Sequence, residues 1–283
     1  MRTLYVIGNG FDLRHGLPSS YGCFKCYLNR VGRSDDVLLL DYLFGENKLW
    51  SDYENALGLL SPSQFEKFIQ WYKEYDRKRG VPGPYAVENG VDTIYSTIET
   101  DFREWIYSLT IDAIEPKMNI DTDALFLTFN YTETLEQVYG LPHKHILYIH
   151  NNLNQGQLVY GHGLDNAAIE EMGSHFENED MKKEFVALMQ SFKKNTSDII
   201  DGKKRCFAML NDVSKVIVIG HSLNEIDMPY FECIQAHIPS QTPWEISTYK
   251  EYCVSIYKKR WRLCRHGIKI VSFFDISHYD LHT

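Results

Sequence analysis

Short, almost continuously apolar runs alternate along the chain with stretches whose apolar residues recur every three or four positions. The runs at 4–7, 124–129, 146–149, 158–160, 216–219 and 268–273 predict strands. Apolar side chains on both faces are the mark of strands covered by helices on both sides, as in parallel sheets. The other period predicts helices. Phe65, Phe68, Ile69 and Tyr72 fall at i, i+3, i+4 and i+7, and so do Phe185, Leu188, Met189 and Phe192. Ile94, Ile98, Phe102, Trp105, Ile106 and Leu109 extend the same stripe. Ser61-Pro62 reads as a helix start, a cap followed by proline in the first turn.

The order of these elements predicts an α/β fold, a Rossmann-like parallel sheet with large helical insertions. The first insertion covers about residues 36–115, broken by Gly80-Val81-Pro82-Gly83-Pro84, and a second helical stretch covers about 165–212. One domain of 283 residues, an α/β body with a helical lobe, is expected. Apolar residues at 44% and charged residues at 24% are ordinary globular usage, which excludes a disordered, collagen-like or coiled-coil chain.

No apolar run approaches membrane-spanning length, and the run before Gly8 is too short for a signal peptide. Cys23, Cys26, Cys206, Cys233, Cys253 and Cys264 are too scattered for a disulfide scaffold and read as free thiols. A cytoplasmic protein without a membrane partner is the expectation. The net charge of −9 argues against wholesale nucleic-acid coating. The exception is a basic stretch, Lys250, Lys258, Lys259, Arg260, Arg262, Arg265 and Lys269. It reads as a solvated helix face or a patch for nucleic acid or a partner.

Candidate chemistry sits where the predicted strands end, because ligands of open α/β sheets lie at that edge. The first strand runs into Gly8-Asn9-Gly10-Phe11-Asp12, with Gly16-Leu17-Pro18 following. Glycines there let a backbone approach a pyrophosphate, and a helix start offers N–H donors. A third glycine at position 13 would complete the dinucleotide fingerprint, but Leu13 stands there. Asp12 is a helix cap or an acceptor for a ribose hydroxyl, since a carboxylate repels a pyrophosphate.

Asn130-Tyr131-Thr132 closes the second strand, and Asn130 can cap a helix or orient a water. His150 ends the next strand and His162 follows the one after. Histidine is the usual proton acceptor near neutral pH. Gly220-His221-Ser222 closes a late strand. Ser222 can cap or bond a hydroxyl, and Asp227 can cap, pair with a cation or face the site.

These blocks resemble the bacteriophage abortive-infection AbiH family. The resemblance rests on Gly8 to Asp12, Gly16 to Tyr21, Trp50-Ser51-Asp52-Tyr53-Glu54, Phe129 to Thr132, His150, Gly161-His162-Gly163, and Gly220 to Leu223 with Asp227. The spacing of Gly8, Gly10, Gly16 and Pro18 is also similar, more distantly, to sirtuin-like NAD-binding domains. So are the Asn130 and His150 blocks and Gly220-His221-Ser222-Leu223. That likeness implies catalytic roles for Asn130 and His150 at a nicotinamide ribose. It implies nucleotide contacts from Gly8, Asn9, Gly10, Asp12, Pro18, Tyr131, Thr132, His162, Gly220, His221, Ser222 and Asp227.

The pattern departs from sirtuins at Asp12, Thr132 and Asn151, and only Cys23 and Cys26 stand where a zinc ribbon needs two pairs. The expectation is therefore an antiphage protein that binds NAD, with no metal, and releases nicotinamide by hydrolysis. Two alternatives stay open. One is a non-catalytic NAD or ADP-ribose sensor that gates a partner; a homo-oligomer or a defence-system partner is open in either reading. The other is a metal-dependent hydrolase or nuclease using His143, His145, His150 and His162. Core packing for Trp50 and a salt bridge for Glu54 are the default roles in their block.

Overall fold

The computed structural model describes residues 2–79, 90–248 and 268–272. The Gly80–Pro84 connector, Cys253, Cys264 and nearly all of the basic stretch lie outside the described residues. The chain divides into two compact units. One combines Met1–Ser19, Leu109–Val159 and Asn195–Thr283, so far as these are described. The other combines Ser20–Ser108 and Tyr160–Lys194.

The first unit is built on a six-stranded sheet. Its strands are β1 (Arg2–Ile7), β2 (Leu125–Thr128), β3 (Ile146–Tyr148), β4 (Val213–Ile219), β5 (Trp244–Thr248) and β6 (Ile268–Ser272). All neighbours pair in parallel, in the order β3-β2-β1-β4-β5-β6. That is the strand order of a Rossmann-like fold, whose direction of winding reverses between β1 and β4. The register sets Leu4 beside Leu125 and Val216, and Ile7 beside Thr128 and Ile219.

Alternation explains the continuous apolar runs. Leu4, Val6, Leu127, Val216 and Val218 point to one face, under Phe207, Tyr230, Phe231 and Ile234. Tyr5, Ile7, Phe126, Ile217 and Ile219 point to the other, under Phe11, Leu135 and Leu141. Two expectations need correction. Residues 158–160 form no strand, because Val159 N–H donates to the His150 carbonyl at 2.9 Å and the segment folds back as loop. Trp244–Thr248, which carries no apolar run, is a strand. Its Trp244 and Ile246 enter the core, while the Ser247 hydroxyl accepts the Gly220 N–H at 3.0 Å.

β1 and β4 end in an interlock of backbones. Gly8 N–H donates to Ile219 O at 2.9 Å, and Gly10 N–H donates to Gly220 O at 2.8 Å. A Cβ at Gly8 would lie 2.5 Å from His221 Cα, and one at Gly10 would lie 2.7 Å from Gly220 Cα. Gly220 has φ +66°, and its own Cβ would lie 2.5 Å from Phe11 N. The glycines are required here by backbone meeting backbone.

The second unit is helical. It comprises Tyr21–Arg30, Ser34–Phe44, Glu46–Leu49, Tyr53–Leu57, Pro62–Arg79, Gly90–Ser108, Asn166–Gly173 and Glu179–Ser191. The Ser61 hydroxyl caps Gln64 N–H at 3.2 Å, so Ser61-Pro62 starts a helix as its residue types require. Phe65, Phe68, Ile69 and Tyr72, and Phe185, Leu188, Met189 and Phe192, are all buried on their expected stripes.

The Trp50–Glu54 block holds this unit together. Trp50 Nε1 donates to Asp41 at 2.5 Å, and Asn55 donates to Asp52 at 2.6 Å. Glu54 forms a buried ion pair with Lys194 at 2.8 Å, tying the unit's two chain segments to each other. Removing one partner of a buried pair leaves the other charge uncompensated.

Two substitutions test this account. Glu54→Gln should lower stability by about 3–5 kcal/mol. Gly8→Ala should cost about 3 kcal/mol or more through overpacking. Thermal unfolding measures both, and a Gly8→Ala protein that melts with the wild type would refute the interlock.

Candidate functional site

The strand ends of the α/β unit carry nearly all of the sequence-predicted residues. Asp12 lies in the helix Asn9–Arg14, one turn beyond β1. It is buried, and its Oδ2 accepts the Thr132 hydroxyl at 2.5 Å. The Thr134 hydroxyl stands 3.1 Å from that of Thr132, and the Asn130 amide also acts on the carboxyl as a donor. Asp12 therefore does not cap the helix. Burial pushes its carboxyl up to about 6, against the pull of these three donors. Its Oδ1 and the Oδ1 of Asn130 are both buried and accept no hydrogen bond from the protein. Asn130 does not cap the following helix, Thr134–Tyr139, whose cap position is Glu133.

A second cluster lies at the ends of β3 and β4. Asp227 Oδ1 is 3.6 Å from His150 Nε2, and Asp227 Oδ2 is 3.5 Å from His221 Nε2. All three side chains are buried. Asp227 occupies the cap position of the helix Met228–His237 but makes no side-chain cap bond. An aspartate at that position ordinarily caps, and this one faces two imidazoles instead.

The His221 tautomer follows from its neighbour. Leu223 N–H donates to His221 Nδ1 at 2.9 Å, so the ring proton is on Nε2, directed at Asp227. Phe129 packs edge-on against both rings, and Tyr131 stacks on His150 while its hydroxyl donates to Val159 O at 2.9 Å. Asn151 has φ +60°, a conformation that glycine or asparagine adopts most readily. Asparagine at this point keeps the turn that a glycine would make.

Several expected contacts have other partners. Gly8 and Gly10 are expected to let a backbone approach a pyrophosphate, but their N–H groups are bonded to the Ile219 and Gly220 carbonyls. Asn9 exchanges hydrogen bonds with Ser19, Nδ2 to Ser19 O at 2.8 Å and Ser19 Oγ to Asn9 Oδ1 at 2.6 Å. These bonds close the turn that contains exposed Pro18. Ser222 is exposed and does not cap, since the next helical turn, Glu225–Asp227, has Asn224 before it.

His162 belongs to the helical unit. Its Nδ1 accepts Leu164 N–H at 3.2 Å, and its Nε2–H donates to Met189 O at 2.9 Å. Burial pushes it down to about 4, so it is neutral and structurally engaged. Thr134 was missed by sequence reasoning; its signal was the threonine repeat at i and i+2 beyond the β2 strand end. Among the described residues, no group of three or more His, Cys, Asp or Glu side chains is arranged to hold a metal ion. Cys23, Cys26, Cys206 and Cys233 are free thiols.

Strand order and strand-end chemistry together define a class: a Rossmann-like α/β protein with a buried imidazole–carboxylate cluster at the carboxyl edge of its sheet. The model of the family described as bacteriophage abortive infection AbiH matches residues 4–248, and the chain belongs to that family. Membership supports a role in bacteriophage abortive infection. Comparison with curated proteins and with solved structures finds no match. No described helix is long and apolar enough to cross a membrane.

Burial of Asp12 couples the stability of the fold to pH. Its pKa is about 6 in the fold against 3.8 as the reference, so the folded state favours the protonated form. The contribution is fully present below pH 3.8 and is lost as pH rises through about 6. Asp12→Asn removes the titration. Relative to that variant, the wild type should lose about 2 kcal/mol between pH 4 and pH 7. Denaturant unfolding across that range checks it, and a pH-independent difference between the two proteins would rule it out.

Proposed function

We propose that this chain acts in abortive infection by binding NAD at the carboxyl edge of its sheet and hydrolysing the nicotinamide–ribose bond. The observation that carries the reading is the convergence of buried His150, His221 and Asp227 beyond the ends of β3 and β4, with Asn130 buried just beyond the end of β2. Proton-transfer chemistry needs an oriented base, and a carboxylate beside an imidazole provides the orientation. The ribose also fits the donor set: the unbonded Asn130 Oδ1 suits a sugar hydroxyl or a placed water.

In this reading the water oxygen attacks C1′ of the nicotinamide ribose. The C1′–N bond breaks, and its electron pair leaves with nicotinamide. The water proton passes to His150, and the cation that forms is stabilised by Asp227. Asn130 orients the water or the ribose. The products are ADP-ribose, nicotinamide and a proton.

The second reading, a sensor that binds NAD or ADP-ribose without turnover, is favoured by one observation. Asp12 Oδ2 already accepts the Thr132 hydroxyl at 2.5 Å, so a sugar hydroxyl would have to compete for that oxygen.

Incubation of purified protein with NAD, following nicotinamide release, separates the readings. His150→Ala should lower the rate by about 10²–10⁴-fold, with an unchanged circular dichroism spectrum. Undiminished turnover in His150→Ala would remove the catalytic assignment. Saturable NAD binding with no release, with or without extract of phage-infected cells, would support the sensor.

A further inference from the structure

A nucleotide at this edge needs a partner for its phosphates, and the Gly8 and Gly10 amides are already bonded to the Ile219 and Gly220 carbonyls. The α/β unit contains a cation that, among the described residues, has no carboxylate partner and is bonded to the residue after His150. Lys203 joins the helices Thr196–Gly202 and Lys204–Phe207. Its Nζ donates to Asn151 Oδ1 at 3.3 Å, and Asn151 directly follows His150. The Asn151 amide is itself fixed, since its Nδ2 donates to Gln157 O at 2.9 Å.

Lys203 is partly buried, and among the described residues no carboxylate pairs with it. Burial lowers its pKa. Exposed Lys204 and Arg205 add to the local positive field. A partly desolvated cation held by a neutral amide gains from an anionic ligand.

We propose that Lys203, held by Asn151, is the phosphate anchor of the site, so that the natural ligand is a phosphate-bearing nucleotide whose sugar reaches His150 and Asn130. This rests on the nucleotide reading above, but not on turnover. The charge density fits a single phosphate group better than a polymer, because the chain as a whole carries −9.

Calorimetric titration tests it with NAD, ADP-ribose, adenosine and inorganic phosphate as separate probes. Lys203→Gln should weaken ADP-ribose and NAD binding about 10–100-fold, the worth of one charge-assisted hydrogen bond. Lys203→Arg should restore most of the affinity, and adenosine should bind wild type and variant equally. Asn151→Gly, which keeps the left-handed turn, should weaken ADP-ribose binding in the same direction.

The proposal is overturned if Lys203→Gln binds ADP-ribose as the wild type does, or if the wild type binds no phosphate-bearing probe. Binding of an RNA or DNA oligomer more tightly than ADP-ribose, with the same dependence on Lys203, would also overturn it. A protein that binds NAD through Lys203 yet releases no nicotinamide leaves the anchor standing and removes hydrolysis. Equal affinity for adenosine and ADP-ribose removes the anchor and leaves the sugar site.

Discussion

Two backbone hydrogen bonds between the ends of β1 and β4 set the geometry of everything at the carboxyl edge of the sheet. Gly8 and Gly10 bond to Ile219 and Gly220 at a separation that no side chain could share. The contact falls where the winding of the sheet reverses, the place at which such folds leave a crevice for ligands. It fixes where the helix carrying Asp12 begins. It also fixes the path of His221, and through Leu223 N–H the tautomer of that ring. Ser247 on β5 supports the same loop by accepting Gly220 N–H.

From that joint the polar groups separate into two clusters with different physics. The Asp12 cluster is a carboxyl taken out of water and compensated by hydroxyl and amide donors. Its raised pKa is the expected result of desolvation exceeding hydrogen bonding. The Asp227 cluster sets one carboxylate against two imidazoles, and aromatic rings pack around them. Low local dielectric strengthens both arrangements and makes an unpaired partner costly. The unbonded oxygens of Asp12 and Asn130 are two such costly groups.

Much of the sheet was legible in the sequence, because strands buried on both faces cannot hide their apolar character. β5 was not: Trp-Glu-Ile-Ser-Thr alternates, and alternation over five residues is a weak signal beside a run such as Val-Ile-Val-Ile. Residues 158–160 gave the opposite error, since β-branched and aromatic residues also suit an extended loop. Glycines at 8 and 10 announced a close approach without saying to what, and a pyrophosphate and a neighbouring backbone impose the same demand. His162 and His150 look alike in sequence. Only the fold reveals that both ring nitrogens of His162 are taken by backbone groups. Asp227 stood at a cap position and could be read as a cap, and Lys203 was invisible because its hydrogen bond to Asn151, 52 positions away, is a fact of three dimensions.

The central claim is that the buried His150–Asp227–His221 cluster receives a nucleotide. The most direct measurement is the imidazole nitrogen spectrum of labelled protein, assigned by His150→Ala and His221→Ala, during titration with NAD. The account predicts that the signals of His150 and His221 shift together and saturate at one ligand per chain, with His162 unmoved. Saturable binding that leaves both His150 and His221 unshifted would contradict it.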